Sequence, residues 1–228
     1  MADGKPVIAV IGGTGKQGGG LALRWARAGY RVIVGSRDRA RAEQAAGSLS
    51  AAADGAAIEG MDNGSAAASC DIAVLAVPHA SQLAMLAPLG DALAGKILID
   101  VTVPLVPPRV AKVQLPEGGS AVVLAQALLG DGVRVVSAFQ NIAAQHLADP
   151  DHDIDCDVLV CGDDKDARDA AIALTEAAGM RGWHAGPLAN SAAAEALTSV
   201  LVSINRTYRI AGAGIRITGE PGSAGGKG

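Results

Sequence analysis

Aromatic side chains are nearly absent from this chain of 228 residues, which has one Phe, two Tyr and two Trp. Any core must be filled by Ala, Val, Leu and Ile instead. Half of the residues are hydrophobic, which excludes a disordered chain. Cysteine is also scarce. Cys70, Cys156 and Cys161 are odd in number, form no C-x-x-C pair and have no metal-ligand spacing, so they read as buried thiols in a reducing cytoplasm. Positive charge is not in excess: 19 Lys and Arg face 23 Asp and Glu, a net charge of −4, and no basic surface for nucleic acid is implied. No apolar run reaches the ~18 residues a membrane span requires. The best run, 192–204, is interrupted by Glu195. Residues 1–6 are polar and lack the layout of a signal peptide. These absences point to a cytoplasmic protein with small-molecule partners, neither nucleic acid nor membrane.

What is present is an alternation of strand and helix. Short apolar runs at 7–11, 31–34, 57–61, 71–77 and 96–101 read as strands, separated by helical stretches at 18–28, 38–48, 65–69 and 81–94, the last broken at Pro88. Four prolines make 104–119 a loop. A helix at 120–129, a strand at 134–139 and a short helix at 141–147 follow. Residues 148–155 carry four aspartates, a proline and a histidine and form the best internal boundary. Beyond them come strands at 157–161 and 181–184, helices at 166–178 and 192–206, and a last strand at 214–218. The glycine-rich 220–228 reads as a disordered tail. Strands separated by helices of 10–15 residues predict an α/β fold with a doubly wound, mainly parallel sheet.

The most specific element is the loop Ile11-Gly12-Gly13-Thr14-Gly15-Lys16-Gln17-Gly18-Gly19-Gly20. One register fits G-x-G-x-x-G: Gly13 for the tight turn, Gly15 for close approach of a pyrophosphate, and Gly18 for packing of helix on strand. Free N–H groups and the helix dipole then face the anion. A nucleotide-hydrolysing P-loop is disfavoured, because Gln17 follows Lys16 where Ser or Thr is needed. The second strand ends Val34-Gly35-Ser36-Arg37, with no carboxylate before Asp38 to meet a ribose 2′-hydroxyl. Arg37, Arg39 and Arg41 cluster where a 2′-phosphate would lie. Guanidinium groups match phosphate, and Arg37 in the first turn of a helix opposes the dipole unless an anion sits there. The pattern favours NADP over NAD, on a Rossmann-type domain at 1–148 followed by a small C-terminal α/β domain at 149–219.

With the glycine loop and the segment 34–37 in place, the chain resembles the NADPH-dependent reductases of coenzyme F420, a deazaflavin. The resemblance runs through Gly20-Leu21-Ala22-Leu23-Arg24, Asp71-Ile72-Ala73-Val74-Leu75, Val77-Pro78 and Pro104-Leu105-Val106-Pro107. It continues through Cys161-Gly162-Asp163-Asp164, Ala185-Gly186-Pro187-Leu188 with Asn190-Ser191, and Leu197-Thr198. The glycine loop is shared by many families; the later blocks, in order, are far more specific. The resemblance spans residues 6–218 and implies reversible hydride transfer between NADP(H) and F420, with F420 between the two domains of a homodimer subunit. It implies that Thr14, Gly15, Lys16 and Gln17 contact the pyrophosphate, and that Ser36, Arg37 and Arg41 hold the 2′-phosphate. Val77, Pro78 and His79 would line the nicotinamide, and the stretch Gln140, Asn141, Ile142, Ala143 and Ala144 would face the deazaflavin. The chain departs from the family where Gln140-Asn141-Ile142-Ala143 stands in place of His-Thr-Ile-Pro and His79 in place of Trp, seen in some members.

Hydride transfer between two bound rings needs positioning and exclusion of water, so no classical catalytic residue and no metal are expected. The four histidines are too separated for a metal site. His79, at the carboxyl edge of the sheet, is either a ligand contact or a loop residue. His146 and His152 read as surface, His184 as structural. Asp163 and Asp164 read as caps of the next helix and Asn190 and Ser191 as a helix start. The helix they begin could wall the acceptor site, with Leu201, Val202 and Asn205 nearest. Asn205, Arg206, Arg209 and Arg216 could meet the deazaflavin tail or lie on the surface. Two other readings stay open: an NADPH-dependent flavin or ferric reductase, and a non-catalytic NADP-binding redox sensor.

Overall fold

The computed structural model describes residues 4–219; the expected tail, 220–228, lies outside them. Eight strands form one sheet in the order β3-β2-β1-β4-β5-β6-β7-β8. They are β1 (Ile8–Ile11), β2 (Val32–Ser36), β3 (Ile58–Asp62), β4 (Ile72–Leu75), β5 (Ile97–Asp100), β6 (Arg134–Ser137), β7 (Asp157–Gly162) and β8 (Arg181–His184). Every neighbouring pair is parallel except β6 with β7. The expected Rossmann-type, doubly wound and mainly parallel sheet is therefore borne out.

Helices cover both faces: α1 (Lys16–Arg27), α2 (Arg39–Ala52), α3 (Asn63–Ala68), α4 (Gln82–Leu86), α5 (Gly90–Leu93), α6 (Ala121–Leu129), α7 (Ala144–Leu147), α8 (Lys165–Ala177) and α9 (Ser191–Tyr208). The apolar runs of the central strands serve both faces at once. Ile8, Val10, Val32, Val34, Ile72, Val74, Ile97 and Ile99 enter one core, whereas Ala9, Ile11, Ile33, Ala73, Leu75 and Leu98 enter the other. Period-two alternation with both faces buried gives a continuous hydrophobic run. A register slip of one residue would exchange the two sets.

Several expected elements differ in detail. The helix expected at 81–94 is two short helices separated by a 3₁₀ turn at Ala87–Leu89, where Pro88 removes an amide donor. The helix expected from 141 starts only at Ala144. Phe139 has φ +69, and the Ile142 N–H closes a turn onto the Phe139 carbonyl at 3.2 Å. The last strand expected at 214–218 does not form. That segment runs beside β7, where the Asp157 N–H donates to the Ile215 carbonyl and the Ile217 N–H to the Asp157 carboxylate. A side chain takes the amide that a ladder would need.

The expected boundary at 148/149 falls between α7 and β7, and the sheet continues across it. Arg24 of α1, 7% exposed, is aimed at this connector. Its guanidinium donates to the carbonyls of His146, Leu147, Asp149, His152 and Ala178. Burial pulls its pKa down, and the nearby charges of Asp149, Asp151 and Asp153 oppose that shift. The aspartate-rich connector thus compensates a buried cation. Trp25, on the next position, donates to the Leu174 carbonyl at 2.7 Å and meets Phe139 edge-on, ring centroids 5.9 Å apart. One aromatic pair joins α1, α8 and the end of β6. All three cysteines are free and buried, as expected; burial pushes the Cys161 thiol up to about 11.

Candidate functional site

The strand order reverses between β1 and β4, and the segments after these two strands face each other there. This is the switch point at which open α/β sheets bind ligands. The turn after β1 is made at Gly12, one residue before the motif register places it. Gly12 has φ +79, and a Cβ there would lie 2.7 Å from the Ala76 carbonyl after β4. Gly13 and Gly18 lie under the loop. A Cβ on Gly13 would meet the Val10 carbonyl at 2.8 Å, and one on Gly18 would meet Ala76 and Gly13 at 3.0 Å. Gly15 differs, since its Cβ would find only the Gly12 carbonyl, at 3.5 Å, and would project into the cleft. Gly15 caps α1, whose first amides, those of Lys16, Gln17 and Gly18, make no hydrogen bond among the described residues. Such free donors at a helix start suit an anion.

On one side of the loop a cavity of about 320 Å³ is lined by Thr14, Gly15, Ser36, Arg37, Arg41 and Pro78 among others. Ser36 ends β2 and is buried. Asp38 also lines this cavity, but its carboxylate caps α2, accepting from the Arg41 N–H at 3.3 Å. Arg39 pairs with Glu43 at 2.9 Å, whereas neither Arg37 nor Arg41 has a carboxylate within ion-pair distance among the described residues. Of the three arginines expected to cluster, two face the cavity without a counter-ion.

On the other side, about 460 Å³ is lined by Gly15, Lys16, Gln17, Val77, Pro78, His79, Thr102, Gln140, Ile142 and Thr198, with Ala76, Val101, Val103 and Leu105 completing an apolar wall. The loop, the β4 end and 140–142 are thereby brought together. Ala143 sits further out, sharing the mouth with Lys16, Asn205 and Gly212. Asn141 is turned away. Its amide donates to the Asp157 carbonyl at 2.8 Å and its side chain is buried against β7. Leu201 is buried, and the Asn205 side chain accepts from the Ala213 N–H at 2.7 Å. Arg216 pairs with Asp155.

Beneath this second cavity lies a layer of polar groups, in which Gln17, His79 and Gln140, all named from the sequence, meet Asp100, Gln82 and Thr102, which the sequence did not single out. The Gln140 amide donates to the Asp100 carbonyl at 2.8 Å, the Gln17 amide to the Phe139 carbonyl at 3.2 Å, and the Thr198 hydroxyl to the Gln140 carbonyl at 2.8 Å. Asp100 has no exposed surface. It accepts from the Thr102 N–H and the Gln82 amide, and burial pushes its carboxyl above the usual range. His79 Nδ1, Thr102 Oγ1 and Gln140 Oε1 are buried without a partner. Unpaired polar atoms at a cleft are costly unless a ligand or water completes them. Thr198 had a sequence signal in the Leu197-Thr198 block, though no role was attached to it. The remaining expectations on helix starts hold: Asp164 caps α8 and Ser191 begins α9, while Asp163 instead accepts from the Leu188 N–H. His184 lies 3.3 Å from Asp169, and His146 packs on His152. No helix of the described residues is long and apolar enough to cross a membrane, and no metal-binding cluster occurs among them.

Comparison with known proteins bears on this cleft. Residues 7–104 match the family described as NADP oxidoreductase coenzyme F420-dependent. The chain is 43% identical over 221 residues to an F420-dependent NADP reductase of Methanothermobacter thermautotrophicus, covering 94% of this chain and 95% of the relative. It is 38% identical to a protein of the same name from Methanocaldococcus jannaschii, covering 92% and 97%. A solved structure from Arthrobacter sp. FB24, described as a candidate F420-dependent NADP reductase, superposes with a TM-score of 0.78 at 24% identity, over 94% of this chain and 100% of that one.

Proposed function

The chain belongs to the family of coenzyme F420-dependent NADP oxidoreductases, and we propose that its cleft holds the two substrates end to end, NADP(H) over the glycine loop and F420 against 140–143. The protein is an oxidoreductase that exchanges hydride between NADP(H) and F420. The observation that carries the residue assignment is the pair of cavities meeting at Gly15, Val77 and Pro78: one bears uncompensated guanidinium groups, the other an apolar wall with unpartnered polar atoms.

The residues present fit the groups required. Gly15 leaves open the space that a pyrophosphate would take, and the amides of Lys16, Gln17 and Gly18 are free to donate to it. Ser36, Arg37 and Arg41 hold the 2′-phosphate. Val77, Pro78 and His79 orient the nicotinamide, and Ala76, Val101 and Leu105 keep water from the reacting carbons. Gln140, Ile142 and Ala143 form the acceptor wall, with Thr198 closing it from α9; Asn141 holds that wall to β7. The nicotinamide C4 supplies the hydride and the deazaflavin C5 accepts it. The work of the chain is to keep those carbons at about 3–3.5 Å. Residues 149–219 serve as the unit that closes the acceptor end, in a cytoplasmic homodimer.

The test is spectroscopic. NADPH added with oxidised F420 should bleach the deazaflavin band, and FMN in its place should not be reduced at a comparable rate. An unchanged F420 band would leave only nucleotide binding, and faster FMN reduction would favour the flavin-reductase reading.

A further inference from the structure

Glu195 is the one acidic residue of α9, and it is 1% exposed. It has no lysine or arginine within ion-pair distance among the described residues, yet it is fully engaged. One carboxylate oxygen accepts from the Ser120 hydroxyl at 2.6 Å and the Val122 N–H at 3.1 Å; the other accepts from the Ala121 N–H at 2.8 Å. Ser120 is the N-cap of α6, and its hydroxyl also lies 2.6 Å from that of Ser191, the first residue of α9. A side chain from α9 thus caps the start of α6. Burial pushes this carboxyl above its ordinary range, against the pull of its three donors.

This cap has a consequence one turn further on. Thr198, three residues along α9 and on the same face, donates to the Gln140 carbonyl at 2.8 Å and lines the acceptor cavity. Gln140 is in turn held to the Asp100 carbonyl. We infer that Glu195 is a positioning residue for F420: by fixing α9 on the start of α6, it sets Thr198 and through it Gln140 at the acceptor end of the cleft. This rests on the placement of F420 given above. Two carboxylate oxygens meeting three donors fix both the height and the rotation of α9, which a single hydroxyl contact would not. The 2′-phosphate end has no part in this chain of bonds, since Ser36, Arg37 and Arg41 lie on β2, the turn after it and α2.

The variant Glu195→Gln keeps the shape and turns an N–H₂ toward at least one of the donors. At saturating NADPH it should raise the KM for F420 about five- to twentyfold while leaving the NADP⁺ Kd within about twofold. Thr198→Val added to Glu195→Gln should raise that KM by less than Thr198→Val does in the wild type, because both act through one contact. Amide hydrogen exchange across 140–144 should quicken in Glu195→Gln without any ligand. A lowered melting temperature with KM and exchange unchanged would reduce Glu195 to a structural cap and overturn the inference, as would equal loss of NADP⁺ affinity. If Glu195→Gln does not fold, Ser120→Ala, which removes one of the three donors, carries the same readouts with smaller shifts. Should the wild type fail to reduce F420, the functional reading falls; the exchange measurement alone then decides whether Glu195 holds 140–144.

Discussion

Replacing Arg37 with Ala tests the nucleotide end of the cleft most directly. Arg37 follows the last residue of β2, is exposed, and has no carboxylate partner among the described residues. The neighbouring Asp38 cannot neutralise it cheaply, because that carboxylate caps α2 through the Arg41 N–H. The side chain therefore contributes little to the folded protein and, beside the start of α2, opposes the helix dipole. Its removal should leave the melting temperature unchanged or slightly raised. Binding should respond differently. A hydrogen bond between a guanidinium and a phosphate contributes about 1.5–3 kcal/mol, so the Kd for NADP⁺ should rise roughly 10- to 150-fold. Exposure and salt screen the interaction, placing the loss toward the lower end and making it shrink as ionic strength rises. NAD⁺, without the 2′-phosphate, should bind both proteins alike. Calorimetric titration of both nucleotides at two salt concentrations checks each part. Equal losses for NADP⁺ and NAD⁺ would refute the assignment, and so would an NADP⁺ affinity that does not change.

Three further outcomes are expected. Gly15→Val should abolish nucleotide binding while circular dichroism and cooperative melting persist, since a Cβ there meets nothing closer than 3.5 Å in the protein and projects into the cleft; retained NADPH affinity would show that the pyrophosphate lies elsewhere. Arg24→Met should destabilise the fold by about 3 kcal/mol or more in urea titration, because it leaves the buried Leu147 and Ala178 carbonyls without their donor; a loss below about 1 kcal/mol would mean the guanidinium is not what holds the connector. Asp100→Asn should change the pH dependence of stability. The folded carboxyl is raised above its ordinary 3.8, so its contribution is full below that value and is lost as pH rises through the folded pKa. The variant should therefore gain on the wild type over that interval and run parallel to it above; the opposite slope would mean the carboxyl is held charged by its donors.

How much of this was legible in the sequence depends on how local the cause is. The strands β1, β2, β4 and β5 declare themselves because both faces of each are buried, leaving unbroken apolar runs. Gly15 and Arg37 stand out because the roles proposed for them follow from spacing within one strand–loop–helix unit. Arg24 gave no such signal: its acceptors lie 122 to 154 residues away, and nothing in the pattern of α1 sets it apart from a surface arginine. The aspartates of 148–155 read only as an internal boundary, because the buried cation they surround lies about 125 residues earlier in the chain. Glu195 gave half a signal. It interrupts the most apolar run of the chain, and a lone carboxylate on an apolar helix face must find donors or leave the core. Which donors it finds depends on where α6 begins, and that depends on packing across the sheet. Asn141 shows the reverse case: the resemblance puts it against the deazaflavin, but after the turn at Phe139 its side chain is bonded to β7.

That turn explains how the two halves of the cleft are kept in register. Phe139 is the sole Phe of the chain, fully buried, in a left-handed conformation at φ +69 that bulky residues rarely adopt. Such strain persists where the surroundings determine it on several sides. Here the ring is held edge-on by Trp25, and the carbonyl receives the Gln17 amide, so both constraints come from α1. Arg24 of the same helix grips 146–152. The segment proposed as the acceptor wall is thus fastened at its start and its end to the helix whose free first amides are proposed to meet the pyrophosphate. Referencing both substrates to one rigid helix is what hydride transfer asks of a protein without acid–base chemistry at the reacting carbons. An error of about 1 Å in their separation costs far more rate than the loss of one peripheral contact. The strain at Phe139 stabilises nothing by itself; with its carbonyl held by α1, it leaves Gln140 and Ile142 facing the cleft, where Asp100 and Thr198 hold Gln140.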